Sequence, residues 1–152
     1  MAAAERQDEA ERSSIKEAAR ARLRRHDVGG RFSGLPLPKA SVLLPLMVRG
    51  GELCLLLTVR SMQLRSSPGE VCFPGGKSEA EDKDEIDTAL REAKEEVGLQ
   101  PEEVEVICRL VPGIDKRNHL VTPVVGFIED TFQATPNPDE SKQYSEQAST
   151  EA

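Results

Sequence analysis

Two apolar runs set the hardest limit on what this chain can fold into. Residues 41–48 (SVLLPLMV) and 53–60 (LCLLLTVR) flank Gly50-Gly51, so they read as two strands joined by a tight turn. Neither run alternates apolar with polar side chains. A strand that is apolar on both faces must be covered on both. A one-layer sheet with one side in water is therefore excluded. Pro45 has no N–H for a ladder and places the first strand at an edge or a bulge.

The neighbouring segments supply candidates for the cover. Residues 71–73 read as a short strand ending at Pro74-Gly75-Gly76. Residues 104–111 and 120–128 read as two more strands, joined through Pro112-Gly113-Ile114-Asp115. Between them Ile86, Ala89, Leu90, Ala93 and Val97 recur at helical spacing, which predicts a helix over about 86–97. An Asp-x-x-Glu signal (Asp82, Glu85) precedes it, Gly98 closes it, and Pro101 blocks continuation. The order of strands and helix describes an α+β domain with mixed pairing.

The ends differ in character. Residues 9–25 (EAERSSIKEAARARLRR) read as a solvated helix packed by Ile15, Ala18, Ala19 and Leu23, with Arg20, Arg22, Arg24 and Arg25 on its wet face. Gly29-Gly30, Pro36 and Pro38 mark a linker. After Phe132 the sequence ATPNPDESKQYSEQASTEA carries no branched aliphatic residue and reads as disordered. The expected division is 1–36 helical segment and linker, 37–133 domain, 134–152 polar tail.

Composition bears on partners. A formal net charge of −7 argues against a binder of nucleic-acid phosphates. Cys54, Cys72 and Cys108 match no zinc spacing and form no closed disulfide set. They read as small buried hydrophobes in a reducing intracellular compartment. No apolar stretch has the length of a membrane span, and Met1-Ala2-Ala3-Ala4 runs into charge, unlike a signal peptide. A soluble, non-secreted protein is expected.

The carboxylates crowd between Glu79 and Glu96. Glu92, Glu95 and Glu96 stand at i, i+3 and i+4, neighbours on one flank of the predicted helix, where like charges repel. A cation removes that penalty, and carboxylate oxygens suit hard cations such as Mg²⁺. Alone, three such glutamates describe an ordinary acidic surface helix. The context points elsewhere: Arg91 directly precedes Glu92 and can hold a carboxylate, and Gly75-Gly76 form a turn that lets backbone approach a ligand.

Gly76 followed by Arg91-Glu92-Ala93-Lys94-Glu95-Glu96-Val97-Gly98-Leu99 resembles the Nudix box, G-x5-E-x7-R-E-U-x-E-E-x-G-U with U aliphatic. The second half matches throughout, with Ala93 as the aliphatic residue. The first half is one residue longer than the pattern, its early acid falling on Asp82 or Glu81, which are held as candidate outer ligands. The resemblance implies the Nudix fold, a mixed sheet with a catalytic helix. It makes Glu92, Glu95 and Glu96 metal ligands for Mg²⁺ or Mn²⁺, Arg91 an orienting residue, and the Gly75-Gly76 backbone a neighbour of the metal.

A second stretch narrows the substrate. Leu56-Leu57-Thr58-Val59-Arg60-Ser61, Arg65, Gly69 and Phe73-Pro74-Gly75-Gly76 resemble the signature of the coenzyme A diphosphatase branch of the family. Read without the family, Arg60 ends a strand and Arg65 sits in the loop behind it, and guanidinium forks suit phosphates. A surface ion pair is an equal reading for each. The branch implies hydrolysis of coenzyme A or acyl-CoA to 3′,5′-ADP and 4′-phosphopantetheine. The alternatives are another nucleoside diphosphate such as ADP-ribose, or a truncated inactive form that binds nucleotide or a partner. Relatives continue past Asp139 with further strands and a helix. The C-terminal part of the fold is therefore expected to be missing here, with the predicted helix and the N-terminal segment left to supply part of the cover that the sheet needs. The branch's peroxisomal members end in an S-K-L-type signal, whereas this chain ends Ser149-Thr150-Glu151-Ala152, which leaves the cytoplasm as the alternative location.

Overall fold

The hairpin forms as its residues dictate. In the computed structural model, which describes residues 2–60, 71–133 and 141–147 (Val59, Arg60, Val71 and 141–147 by backbone alone), β1 (Lys39–Arg49) turns back into β2 (Glu52–Arg60). Gly50 and Gly51 sit at φ 59° and 77°, the left-handed pair that a two-residue hairpin needs. The strands pair only near this turn, Leu46 with Leu55 through Arg49 with Glu52.

Beyond that they splay, and a second hairpin-like pair fills the gap. β3 (Val71–Cys72) pairs with Thr58 and Val59, while β4 (Gly75–Lys77) pairs with Ala40–Val42. The far edge of β1 takes β7 (Leu120–Phe127) in parallel, and β7 in turn pairs with β5 (Glu105–Arg109) and β6 (Gly113–Ile114). β8 (Ser141–Gln147) lies antiparallel along Cys54–Arg60. Because β2 residues 54, 55, 58 and 59 each have a partner on both sides, β8 must hold the edge of β2 opposite β1 and β3.

Each face is covered by one helix. α2 (Glu85–Val97) packs Ala89, Ala93 and Val97 onto Leu43, Met47, Leu56 and Val124. α1 (Ala2–Arg24) lays Ala19 and Leu23 against Leu46, Ile107, Val125 and Phe127 on the other face. Arg20 fixes this helix through a two-pronged bond to Glu105 at 2.7 and 2.9 Å and lies 5.3 Å from the Phe127 ring centre. The two apolar faces that the sequence demands thus lie between two helices.

Four expectations are corrected. Pro45 is not at an edge: β1 is central. The Leu43 N–H points to Pro74 O, and Pro45 faces the same way two residues on, in the interval between the β4 and β2 pairings where no ladder bond is lost. Residues 141–147 are a strand and not a disordered stretch, because the β2 edge offers backbone partners to a segment whose sequence has no apolar stripe. The N-terminal segment does cover the face opposite α2, but its helix, Ala2–Arg24, starts earlier than the predicted 9–25. The cap of α2 is Asp84, whose carboxylate accepts the Asp87 N–H at 3.0 Å, not Asp82.

Candidate active site

The site is built where α2, β4 and the loop between them meet. Asp84 starts α2 and Gly98, at φ 76°, ends it with an N–H bond to Lys94 O. With Ala89, Ala93 and Val97 sealed against the sheet, the register of the helix leaves Arg91, Glu92, Glu95 and Glu96 on an adjacent flank.

Arg91 organises that flank. Its Nε and Nη2 donate to the two oxygens of Asp82 at 3.1 and 3.0 Å, and Nη2 also donates to Lys77 O at 2.9 Å. Its Nη1 donates to Glu92 Oε1 at 3.0 Å and lies 3.5 Å from carboxylate oxygens of Glu95 and Glu79. One cationic nitrogen thus gathers three carboxylates. Asp82 is nearly buried, and the Arg91 fork, ahead of the Glu79 N–H and the Thr88 hydroxyl, brings its carboxyl down to about 2 against the opposing effect of burial. The same contacts hold the Arg91 proton more tightly than usual. The early acid Asp82 is therefore an anchor for Arg91. Sequence reading left its role open, because the pair spans nine residues and the loop before α2. Glu81 is exposed on that loop.

Gly75 and Gly76, which lie in strand β4 and not in the turn expected from sequence, meet this flank directly. A Cβ on Gly76 would lie 2.5 Å from Glu92 Cδ and 2.6 Å from its Oε1, so the carboxylate occupies the space that any other residue would fill. At Gly75 the obstacle is backbone: a Cβ would collide with Ser41 O and reach within 2.8 Å of Val42 Cα. Gly76 leaves room for the Glu92 carboxylate, and Gly75 for the close approach of β1.

The structure brings Arg91, Glu92, Glu95, Gly75 and Gly76 together, with Glu96 one turn beyond Glu92 on the same flank. Arg60 is the last residue of β2, two beyond Thr58, which pairs with Cys72 just ahead of β4. Arg65 lies outside the described residues. The hard oxygen donors and the Gly76 slot fit a divalent cation in chemistry. Among the described residues, however, no three His, Cys, Asp or Glu side chains are gathered tightly enough to hold a metal ion. In this conformation Arg91 draws the Glu92 and Glu95 oxygens to itself.

A family model described as the NUDIX domain matches residues 37–149. The chain belongs to the Nudix family. That match runs through β8, past the boundary at 133 expected from sequence. The chain is 56% identical over 132 residues to the peroxisomal coenzyme A diphosphatase of Mus musculus, covering 87% of this chain and 56% of the relative. It is 44% identical over 107 residues to the mitochondrial Nudix hydrolase 15 of Arabidopsis thaliana, covering 68% of this chain and 38% of the relative. The chain therefore spans about half the length of these curated relatives or less. Among solved structures, a C. elegans Ap4A hydrolase in a binary complex superposes with a TM-score of 0.60 at 20% identity, over 72% of this chain and 78% of that one. That likeness shows the fold. Nudix hydrolases generally use divalent metal ions, and no helix among the described residues is long and apolar enough to cross a membrane.

Proposed function

We propose that this chain is a Nudix diphosphatase that hydrolyses coenzyme A, and acyl-CoAs, to 3′,5′-ADP and 4′-phosphopantetheine. The observation that carries the reading is the Glu92 carboxylate seated in the Gly76 slot with Arg91 and Asp82 locked behind it. The similarity to the mouse enzyme supports the choice of coenzyme A.

On this reading Glu92, Glu95 and Glu96 hold Mg²⁺ or Mn²⁺. The cation, when bound, supplies neutralising charge for the diphosphate and lowers the pKa of a water. Before the cation binds, Arg91 fixes where the Glu92 carboxylate points, and Asp82 fixes Arg91. One carboxylate of the flank takes the proton of the attacking water. Arg60 and Arg65 recognise substrate phosphates. The peroxisome, named for the mouse relative, is the proposed location.

The test is product analysis on a panel of coenzyme A, dephospho-coenzyme A, ADP-ribose and a dinucleoside polyphosphate with Mg²⁺. Coenzyme A should be the preferred substrate and give 3′,5′-ADP. Losing one charge-assisted contact costs on the order of 1.5–3 kcal/mol, so Arg60→Ala or Arg65→Ala should narrow the preference for coenzyme A over its dephospho form at least tenfold. Preference for ADP-ribose would replace the substrate while leaving the reaction class intact.

A further inference from the structure

Ser41 lies in β1 directly across from Gly76 in the antiparallel pairing with β4. Directly opposed residues point to the same face, with Cβ positions about 5 Å apart. The missing Cβ of Gly76 points at the Glu92 carboxylate, and Leu43, two residues along from Ser41, packs under Ala89 and Ala93. The Ser41 hydroxyl therefore enters the same layer as Glu92, between the sheet and α2. Ser41 is fully buried, and its Oγ finds no hydrogen-bond partner among the described residues. It is the only buried side-chain oxygen or nitrogen of which that is true among those residues. Such a hydroxyl is costly to keep unless it is used in another arrangement of the site. The nearby Thr58 and Thr88, equally buried, do have partners.

We propose that Ser41 is a positioning residue for Glu92: its hydroxyl donates to the Glu92 carboxylate when a divalent cation, in place of Arg91, becomes that carboxylate's counter-charge. The inference rests on the reading that Glu92 is a metal ligand. In the present arrangement Glu92 Oε1 is held by Arg91 Nη1 at 3.0 Å, and the hydroxyl is left over. A donor at this point would fix the orientation of the ligand without adding charge, as partners behind metal-binding carboxylates do.

The experiment measures Mn²⁺ binding to the full chain by titration calorimetry, with a thermal melt of each metal-free protein. Wild type, Ser41→Ala, Ser41→Cys and Glu92→Gln are compared. Ser41→Ala should bind Mn²⁺ about tenfold more weakly. Its metal-free form should melt at the same temperature as wild type or higher, because an unsatisfied buried hydroxyl has been removed. Ser41→Cys, similar in volume and a weak donor, should fall between the two in affinity. Unchanged affinity in Ser41→Ala overturns the inference alone. Weaker binding with a melt several degrees lower also overturns it, since the hydroxyl would then be supporting the fold. Wild type that fails to bind Mn²⁺, or Glu92→Gln that binds as well as wild type, overturns the metal-site reading and this inference with it.

Discussion

Gly75 and Gly76 are adjacent, yet replacing them should have opposite signatures. At Gly76 an added methyl meets the end of the Glu92 side chain, which can change rotamer by giving up its bond to Arg91. Gly76→Ala should therefore lose most turnover while its melt shifts by only a few degrees. At Gly75 the methyl meets the β1 backbone, which cannot yield cheaply, so Gly75→Ala should be destabilised by roughly 1–3 kcal/mol. A paired melt and rate measurement on the two variants checks this. Asp82 gives a second residue-scale prediction. Its folded pKa of about 2 lies below the ordinary value, so its contribution is present above about pH 4 and is lost as pH falls towards 2. Acid titration of Asp82→Asn should show a shallower loss of stability between pH 4 and 2 than wild type, together with reduced turnover at neutral pH. An identical acid profile would mean that the Arg91 anchor contributes nothing. The glutamate triad was legible in the sequence because i, i+3, i+4 spacing is a local property of a helix. The Asp82–Arg91 clamp and the Ser41–Gly76 opposition were not, since each depends on how separate elements come to rest against one another.

Helix α2 was readable almost to the residue, because its apolar stripe and its closing glycine are written in consecutive positions. It starts one residue earlier than expected, and the cap expected at Asp82 falls to Asp84, while Asp82 takes the ion pair with Arg91. Asp84→Ala should cost roughly 0.5–2 kcal/mol through loss of the bond to the Asp87 N–H, lowering the melting temperature by several degrees. A melt unchanged within error would show that the cap is dispensable. The strands of the hairpin were likewise visible from their composition, but their splay was not. The gap that admits β3 and β4 depends on where the β1–β2 pairing stops, and no residue in either strand announces that point. β8 was missed for a related reason. Its seven residues, polar except for Tyr144, gain their place from backbone pairing with the β2 edge, a non-local interaction that leaves no periodic trace.

At the scale of the whole molecule, a twice-apolar central strand sits between two helices, and the helix on one face also bears the acidic flank. Phe127, nearly buried beneath α1 and flanked by Lys16 and Arg20, ties the opposite helix to the sheet. Phe127→Ala should cost roughly 3–5 kcal/mol, seen in a denaturant melt, while any protein that remains folded keeps its affinity for the metal. Family membership and fold rest on the match across residues 37–149, while the proposed reaction rests on the flank of α2. The most direct measurement of that claim is the release of 3′,5′-ADP from coenzyme A and Mg²⁺ by wild type and by Glu96→Gln, each with a melt to confirm folding. The account predicts turnover in wild type, abolished by chelator, and essentially none in a fully folded Glu96→Gln. Near-normal turnover in that variant would contradict it.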